Sequence, residues 1–315
     1  MNTSLEHLPD SKQQELAHVL KILFSEFEDA TVLGLSDYRR KGRILKVILF
    51  GSYARGDWVS DPVSGYTSDY DLLIVVNYDQ LTDVTEYWAN ADDHLLREYG
   101  VSRTITAPVS FIVHTFNDVN EQVRLGKSFF VDILRDGVLL YDAPSPQFDE
   151  PKVLEPAEAL EQACGYFGAW FETAGQFLSN GRDNADRGWT KLAAFNFHQA
   201  AERLYHCTLL VLKLYSPKSH KLTFLRSQAE QLDSRLIGVW PRAQKFEKRC
   251  FELLRRAYVD ARYSPNYKIS DEELAWLGER VGILQKCVEE VCKARLADLR
   301  ARAGLKSPPH NLDEA

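Results

Sequence analysis

No run of eighteen or more consecutive apolar residues occurs in the 315-residue sequence, and its first thirty residues lack the basic-then-apolar order of a secretory signal. A membrane-spanning helix is thereby excluded, no membrane partner is expected, and the reading is a cytoplasmic protein. Cysteine is scarce: Cys164, Cys207, Cys250, Cys287 and Cys292 are odd in number, lie in the second half and show no C-x-x-C spacing. That excludes a disulfide framework and a zinc site, and leaves reduced thiols in helical cores. Positive charge is in deficit, 38 Lys plus Arg against 45 Asp plus Glu for a net charge of −7. Broad electrostatic binding of nucleic acid is disfavoured, although a local basic patch stays open. Internal repeats and low-complexity stretches are also missing. What is present, 45% hydrophobic and 26% charged residues, is the composition of a globular chain, and the length suits two domains.

Apolar residues at Leu16, Val19, Leu20, Leu23, Phe24 and Phe27 have the spacing of an amphipathic helix over 13–29. The run from Ile44 to Phe50 ends on Gly51 and predicts a buried strand. Asp69 to Val76 predicts a second strand, 82–99 a helix, and Pro108 to His114 a third strand. This order makes the first half α/β with a small mixed sheet. Pro144, Pro146, Pro151 and Pro156 then bar regular structure and mark a linker.

Beyond it the pattern is helical throughout, with breaks expected near Asn180-Gly181, Ser216-Pro217, Pro241 and Ser264-Pro265, which predicts about five helices in a bundle. The segment 189–214, apolar almost all round in its second half, is the expected central helix. The fold class is therefore α+β with two domains: an α/β domain over 1–143, a Pro-rich linker over 144–156, an all-α bundle over 157–300 and a frayed tail over 301–315.

Chemistry is concentrated in Gly51-Ser52-Tyr53-Ala54-Arg55-Gly56, placed where a strand ends, and in Asp69-Tyr70-Asp71 at the head of the next. Alternation along a strand puts Asp69 and Asp71 on one side, about 6–7 Å apart along the backbone. Two like charges on one face of an apolar strand repel and are costly to desolvate, a conflict that a shared divalent cation resolves. Mg²⁺ suits the arrangement, because it takes one or two carboxylates and completes its shell with waters and phosphates. Gly51 lets a phosphate approach the backbone, and Ser52 is placed to cap a short helix whose free N–H groups attract anions.

These residues resemble the nucleotidyltransferases of the DNA polymerase β superfamily, in particular the minimal, mostly bacterial type with a G-S-x-A-R-G signature and a D-x-D pair, over about residues 40–140. The resemblance implies that Gly51, Ser52 and Arg55 bind the nucleotide, with Arg55 bracing the loop or a phosphate. It also implies that Asp69 and Asp71 are catalytic and hold two Mg²⁺ ions in the active complex. Two departures stand out. The loop from Gly56 to Ser68 is long for the family and carries Trp58 and Tyr66, which either stack on a base or pack locally. A third carboxylate, expected on the next strand, falls at Ser110, and alternation places Ser110 on the face of the aspartates if the two strands are neighbours.

Residues 190–214, Ser219-His220-Lys221-Leu222 and Ala261-Arg262-Tyr263 resemble a HEPN domain over about 155–298. HEPN ribonucleases carry an arginine followed after four to six residues by a histidine, and no such pair occurs here, so ribonuclease activity is disfavoured. His198, Glu202 and His206 share one helix face, which reads as a polar seam within the bundle or as a metal site. From Pro241 to Arg262 there are seven basic and three acidic residues. They form a solvated basic face, or Arg255, Arg256, Tyr258, Arg262 and Tyr263 line a groove for a nucleotide or acidic acceptor. The resemblance thus implies transfer of a nucleoside monophosphate, AMP from ATP, to a hydroxyl of a small-molecule or protein acceptor, with the helical domain helping to bind the acceptor. A catalytically weak regulatory or toxin–antitoxin-derived module is the alternative, and a homodimer is left open.

Overall fold

The computed structural model describes residues 1–32, 36–61, 66–144 and 147–305, apart from the side chains of Asp61 and Tyr66. The chain forms two units, Met1–Lys152 and Val153–Ala315, each with its own apolar core. The division falls inside the proline-rich segment.

The first unit runs α1 (Asp10–Val32), α2 (Asp37–Arg40), β1 (Ile44–Phe50), α3 (Gly51–Arg55), β2 (Ser60–Asp61), β3 (Tyr66–Thr67) and β4 (Tyr70–Val76). It continues through α4 (Val84–Tyr87), α5 (Ala89–Arg97), β5 (Val109–Thr115), α6 (Phe116–Arg124), α7 (Ser128–Asp136) and β6 (Val138–Asp142). The main sheet has the order β5-β4-β1-β6, with β4 and β5 parallel and the other pairs antiparallel. It is the small mixed sheet expected, with β6 as an additional edge strand. β1 and β4 are buried along their whole length because the sheet is covered on both faces. Val47, Leu49, Leu72 and Ile74 meet Leu16, Val19 and Leu23 of α1 and Leu95 of α5. On the other face α6 and α7 pack on β4 and β1, with Phe50 edge-on to Phe129. Lys46, inside the apolar run of β1, is buried there because its ammonium pairs with Asp142 of β6.

The continuous helix expected over 82–99 is broken. Asp83 accepts bonds from the N–H groups of Thr85 and Glu86 and so starts α4 after it, and Trp88 leaves the helical conformation. The Trp88 indole is fully buried and donates to the Leu81 carbonyl at 2.8 Å, a bond that fixes the corner.

The second unit comprises α8 (Pro156–Asp186), α9 (Thr190–Lys213), α10 (Leu222–Leu232), α11 (Lys245–Tyr263) and α12 (Asp271–Arg302), with a short 3₁₀ turn at Ser234–Val239. Pro156 opens α8 at its first position, where its missing N–H costs nothing. α9 packs against the other four helices, as its all-round apolar composition requires.

The break expected at Asn180-Gly181 is absent, and α8 continues to Asp186. Gly181 serves close approach instead of a turn: a Cβ there would lie 2.5 Å from the Phe197 ring of α9. Cys164 is exposed, whereas Cys207, Cys250 and Cys292 are buried as expected of core thiols. α12 runs to Arg302, so the first residues assigned to the tail are helical, and 306–315 lie outside the described residues. No helix among the described residues is long and apolar enough to cross a membrane.

Candidate functional site

The end of β1 delivers Gly51 in the left-handed region at φ 74°, a conformation that an L side chain resists, and α3 follows at once. Because the helix starts at Gly51, Ser52 lies inside it and does not cap it; Phe50 occupies the cap position. The Ser52 hydroxyl is buried and has no hydrogen-bond partner. A buried hydroxyl without a partner beside a glycine turn leaves a hydrogen-bonding group open to a ligand.

Antiparallel pairing sets Phe50 opposite Asp71, so the turn lies beside the D-x-D pair. Asp71 is fully buried, and Asp69, immediately before β4, is 9% exposed. The Tyr70 N–H donates to the Pro108 carbonyl at 2.8 Å and carries the parallel pairing into β5. That register puts Ser110 beside Asp71, and the Ser110 hydroxyl donates to Asp69 Oδ2 at 3.0 Å. Ser110 therefore sits on the face of the aspartates, as alternation required.

Two carboxylates withdrawn from water within one residue of each other, and a buried orphan hydroxyl beside them, fit a Mg²⁺ ion that shares its shell with nucleotide phosphates. The donors are hard oxygens, as that cation prefers. No third carboxylate joins them: among the described residues no group of three His, Cys, Asp or Glu side chains is arranged to hold an ion. The serine takes that position.

Arg55 pairs with Asp57 across the end of α3, with Nε to Oδ2 at 3.2 Å. Trp58 packs locally, its ring parallel to Tyr53 at 5.1 Å between centroids. The loop that begins there returns through paired bonds between Val59 and Ser68, and the Tyr66 side chain lies outside the described residues.

In the helical unit the basic stretch is largely neutralised by its own neighbours. Arg255 pairs with Glu252, Arg256 with Asp260, Arg249 with Glu273 and Arg242 with Glu230. Arg255 and Arg256 are thus engaged on the helix surface. Tyr258, Arg262 and Tyr263 do come together, the Arg262 guanidinium lying 4.6 Å from the Tyr258 ring centre and 5.0 Å from that of Tyr263. Around the same Tyr258 ring stack His220, at 4.8 Å, and His198, at 5.4 Å. His220 Nδ1 and Glu202 Oε1 are 3.0 Å apart, while buried His198 Nε2 and Glu202 Oε2 lack hydrogen bonds.

Burial raises the Glu202 carboxyl against the pull of His220, and burial lowers His198 to about 3. His206 does not join this group; its ring bonds Ser216 and the Ser219 carbonyl. Of the three residues of the polar seam, His198 and Glu202 stay together, with Nδ1 and Oε2 3.7 Å apart, and His206 has separate partners. His220 had no local signal as a member of the site, since the turn before α10 brings it to a tyrosine 38 positions away.

Residues 167–296 match the family model of the HEPN domain. A protein of Methanocaldococcus jannaschii, provisionally named a protein adenylyltransferase, is 37% identical over 108 residues, which are 34% of this chain and 85% of that protein. A nucleotidyltransferase-like protein of Exiguobacterium sibiricum, known from a crystal structure, aligns over 87% of this chain and 77% of its own at 14% identity, with a TM-score of 0.26. That score is too low to bear on the fold. The match to the M. jannaschii protein, together with the G-S and D-x-D elements joined at one end of the two central strands and the HEPN match after them, identifies the chain as a member of the minimal nucleotidyltransferases of the DNA polymerase β superfamily, carrying a HEPN domain.

Proposed function

We propose that the protein transfers AMP from ATP to a hydroxyl group of a small-molecule or protein acceptor. The observation that carries this reading is the buried, unpartnered Ser52 hydroxyl after a left-handed Gly51, in a turn that strand pairing sets beside two buried carboxylates separated by one residue. The adenylyltransferase name of the M. jannaschii relative supports the choice of nucleotide. In the reaction the acceptor oxygen forms a bond to the α-phosphorus, the bond from that phosphorus to pyrophosphate breaks, and the hydroxyl proton is released.

Gly51 and Ser52 hold the triphosphate by backbone N–H groups and the free hydroxyl. Asp69 and Asp71 would hold Mg²⁺, which supplies charge neutralisation at the phosphates when bound. Arg55 reaches a phosphate only by leaving Asp57, so in the absence of nucleotide it braces the loop. Within the helical unit, Arg262 with Tyr258 and Tyr263 offers a guanidinium on aromatic faces for an anionic group of the acceptor. The test is incubation of the full chain with labelled ATP, GTP, CTP or UTP, Mg²⁺ and cell extract. Label from ATP on a protein or small molecule is the expected result, and label from none of the four would refute the transferase.

A second reading, a nucleotide-binding regulatory module with weak chemistry, is favoured by Ser110, whose hydroxyl stays protonated near neutral pH and so serves poorly as a base or metal ligand. Ser110→Asp separates the two. It should raise turnover or tighten a second Mg²⁺ by about tenfold, the scale on which metal ligation responds to one added partner, with ATP affinity nearly unchanged. Loss of ATP binding in that variant would show that the serine serves the nucleotide itself.

The helical unit is expected to leave RNA intact without metal. Arg262 and His220 meet at Tyr258, but the His220 ring is tied to Glu202 and stacked on the tyrosine. An RNA degradation assay on the full chain in EDTA checks this. Cleavage that vanishes in Arg262→Ala would restore the ribonuclease reading.

A further inference from the structure

One tyrosine of each site motif is buried in the core, and there the two meet. Tyr53, between Ser52 and Ala54, and Tyr70, between Asp69 and Asp71, are fully buried with ring centres 4.3 Å apart. Trp58 stacks on the first of them. The Lys12 ammonium of α1 lies 5.6 Å from the Tyr70 ring centre and 5.8 Å from those of Tyr53 and Trp58, within cation–π range of all three.

Beside it Glu15 is 8% exposed and fully used. Its carboxylate accepts from the Tyr70 hydroxyl at 3.0 Å, from the Thr106 N–H at 3.0 Å and from the Thr106 hydroxyl at 2.8 Å, while Lys12 contacts both Glu15 and Thr106. Thr106 stands just ahead of β5, the strand that carries Ser110.

One ion pair on α1, a half-buried Lys12 and a buried Glu15, therefore ties together the three segments that present Ser52, the aspartates and Ser110. We infer that Lys12 and Glu15 are positioning residues, a brace behind the site that sets the spacing of the phosphate turn and the carboxylate pair without touching either ligand. Burial alone does not explain the arrangement. An apolar contact would fill the same space, whereas a half-buried lysine and a buried glutamate are kept at a desolvation cost that only complete pairing offsets. What charge and hydrogen bonds add is direction. The carboxylate fixes the Tyr70 ring and hence the backbone on both sides of it, and the ammonium holds that ring against Tyr53.

This inference rests on the proposed transferase only for the identity of the ligands, and its test includes a measurement that needs none. Tyr70→Phe keeps the ring and removes its bond to Glu15; Lys12→Met keeps the stem and removes the charge; Lys12→Arg restores it; Leu23→Ala weakens α1 at a position away from the brace. Hydrogen exchange of the metal-free full chain should quicken about tenfold in peptides spanning 50–57 and 69–72 for Tyr70→Phe and Lys12→Met, recover in Lys12→Arg, and stay near wild type there in Leu23→Ala. Mn²⁺ affinity, read by electron paramagnetic resonance, should weaken about tenfold in the same two variants, the usual cost of losing a supporting partner of a metal site.

Exchange unchanged in those peptides, or quickened equally by Leu23→Ala, would overturn the brace. Absence of Mn²⁺ binding in the wild type, with the exchange pattern as expected, would instead sink the metal assignment and leave the brace standing.

Discussion

Asp69→Asn combined with Asp71→Asn should lower AMP transfer by about 10³-fold or more and remove the Mg²⁺-dependent part of ATP binding. The two halves of this expectation have one cause. Both carboxylates are buried, Asp71 completely, so the charge they offer a cation is poorly screened. Amides of the same shape carry no such charge, and an asparagine oxygen at 69 can still accept the Ser110 hydroxyl. The site therefore keeps its shape and loses what would hold the cation. Triphosphate binding then meets neutral side chains with no ion between, and its dependence on Mg²⁺ should vanish from the calorimetric titration. ATP bound as tightly as by the wild type in Mg²⁺ would show that the aspartates are structural and that the cation is held elsewhere.

The sheet was legible where each strand is long, apolar and bounded by polar turns: β1 against Gly51, β4 after the loop, β5 after Pro108. Alternation placed Ser110 with the aspartates only on the assumption that the two strands are neighbours in that register, and the parallel pairing of Asp71 with Ser110 supplies it. β6 was not legible. Its five residues pair with β1 over a separation of about ninety positions, and nothing local in Val138–Asp142 distinguishes an edge strand from a short helical turn. Lys46 hid the same relation, since its reason for standing in a buried strand is Asp142 at the far end of that pairing.

Gly181 misled for a related reason. In sequence, Asn-Gly is a turn signal. In the bundle the missing side chain admits Phe197 from the next helix, and the surrounding contacts outweigh the roughly 1 kcal/mol that glycine costs a helix. The basic stretch of α11 was read as a whole because charges were counted along the chain. Glu230 and Glu273, which neutralise Arg242 and Arg249, lie in other helices, and Arg255 and Arg256 are bound by Glu252 and Asp260 three or four residues away. Only three of its five candidate groove residues, Tyr258, Arg262 and Tyr263, stay together as a cluster, and its other members come from α9 and from the turn before α10.

That cluster should make the helical unit sensitive to mild acid. Burial, with help from His220 and Arg262, lowers His198 to about 3, and burial lowers His206 to about 4 despite its bond to the Ser219 carbonyl, against an ordinary value of 6.5. Between 6.5 and these values the unfolded chain binds protons that the folded chain refuses. Stability from the two histidines is therefore complete above about pH 6.5 and falls as pH drops through the window. At pH 5 each has cost roughly 2 kcal/mol, from 1.36 kcal/mol per pH unit. Glu202 works in the opposite sense, because its raised carboxyl takes up a proton more readily in the folded state, and it offsets part of the loss.

Urea unfolding followed by tryptophan fluorescence, to which Trp170, Trp189, Trp240 and Trp276 of the helical unit contribute, should show that unit less stable at pH 5 than at pH 7 by about 2–4 kcal/mol. His198→Leu, close in volume, removes both the titration and the orphaned Nε2. It should match or exceed the wild type at pH 7 and exceed it by about 2 kcal/mol at pH 5, roughly halving the dependence. A variant whose stability falls between pH 7 and 5 as steeply as that of the wild type would mean that His198 takes its proton in the folded state, with the ion pair to Glu202 compensating for burial.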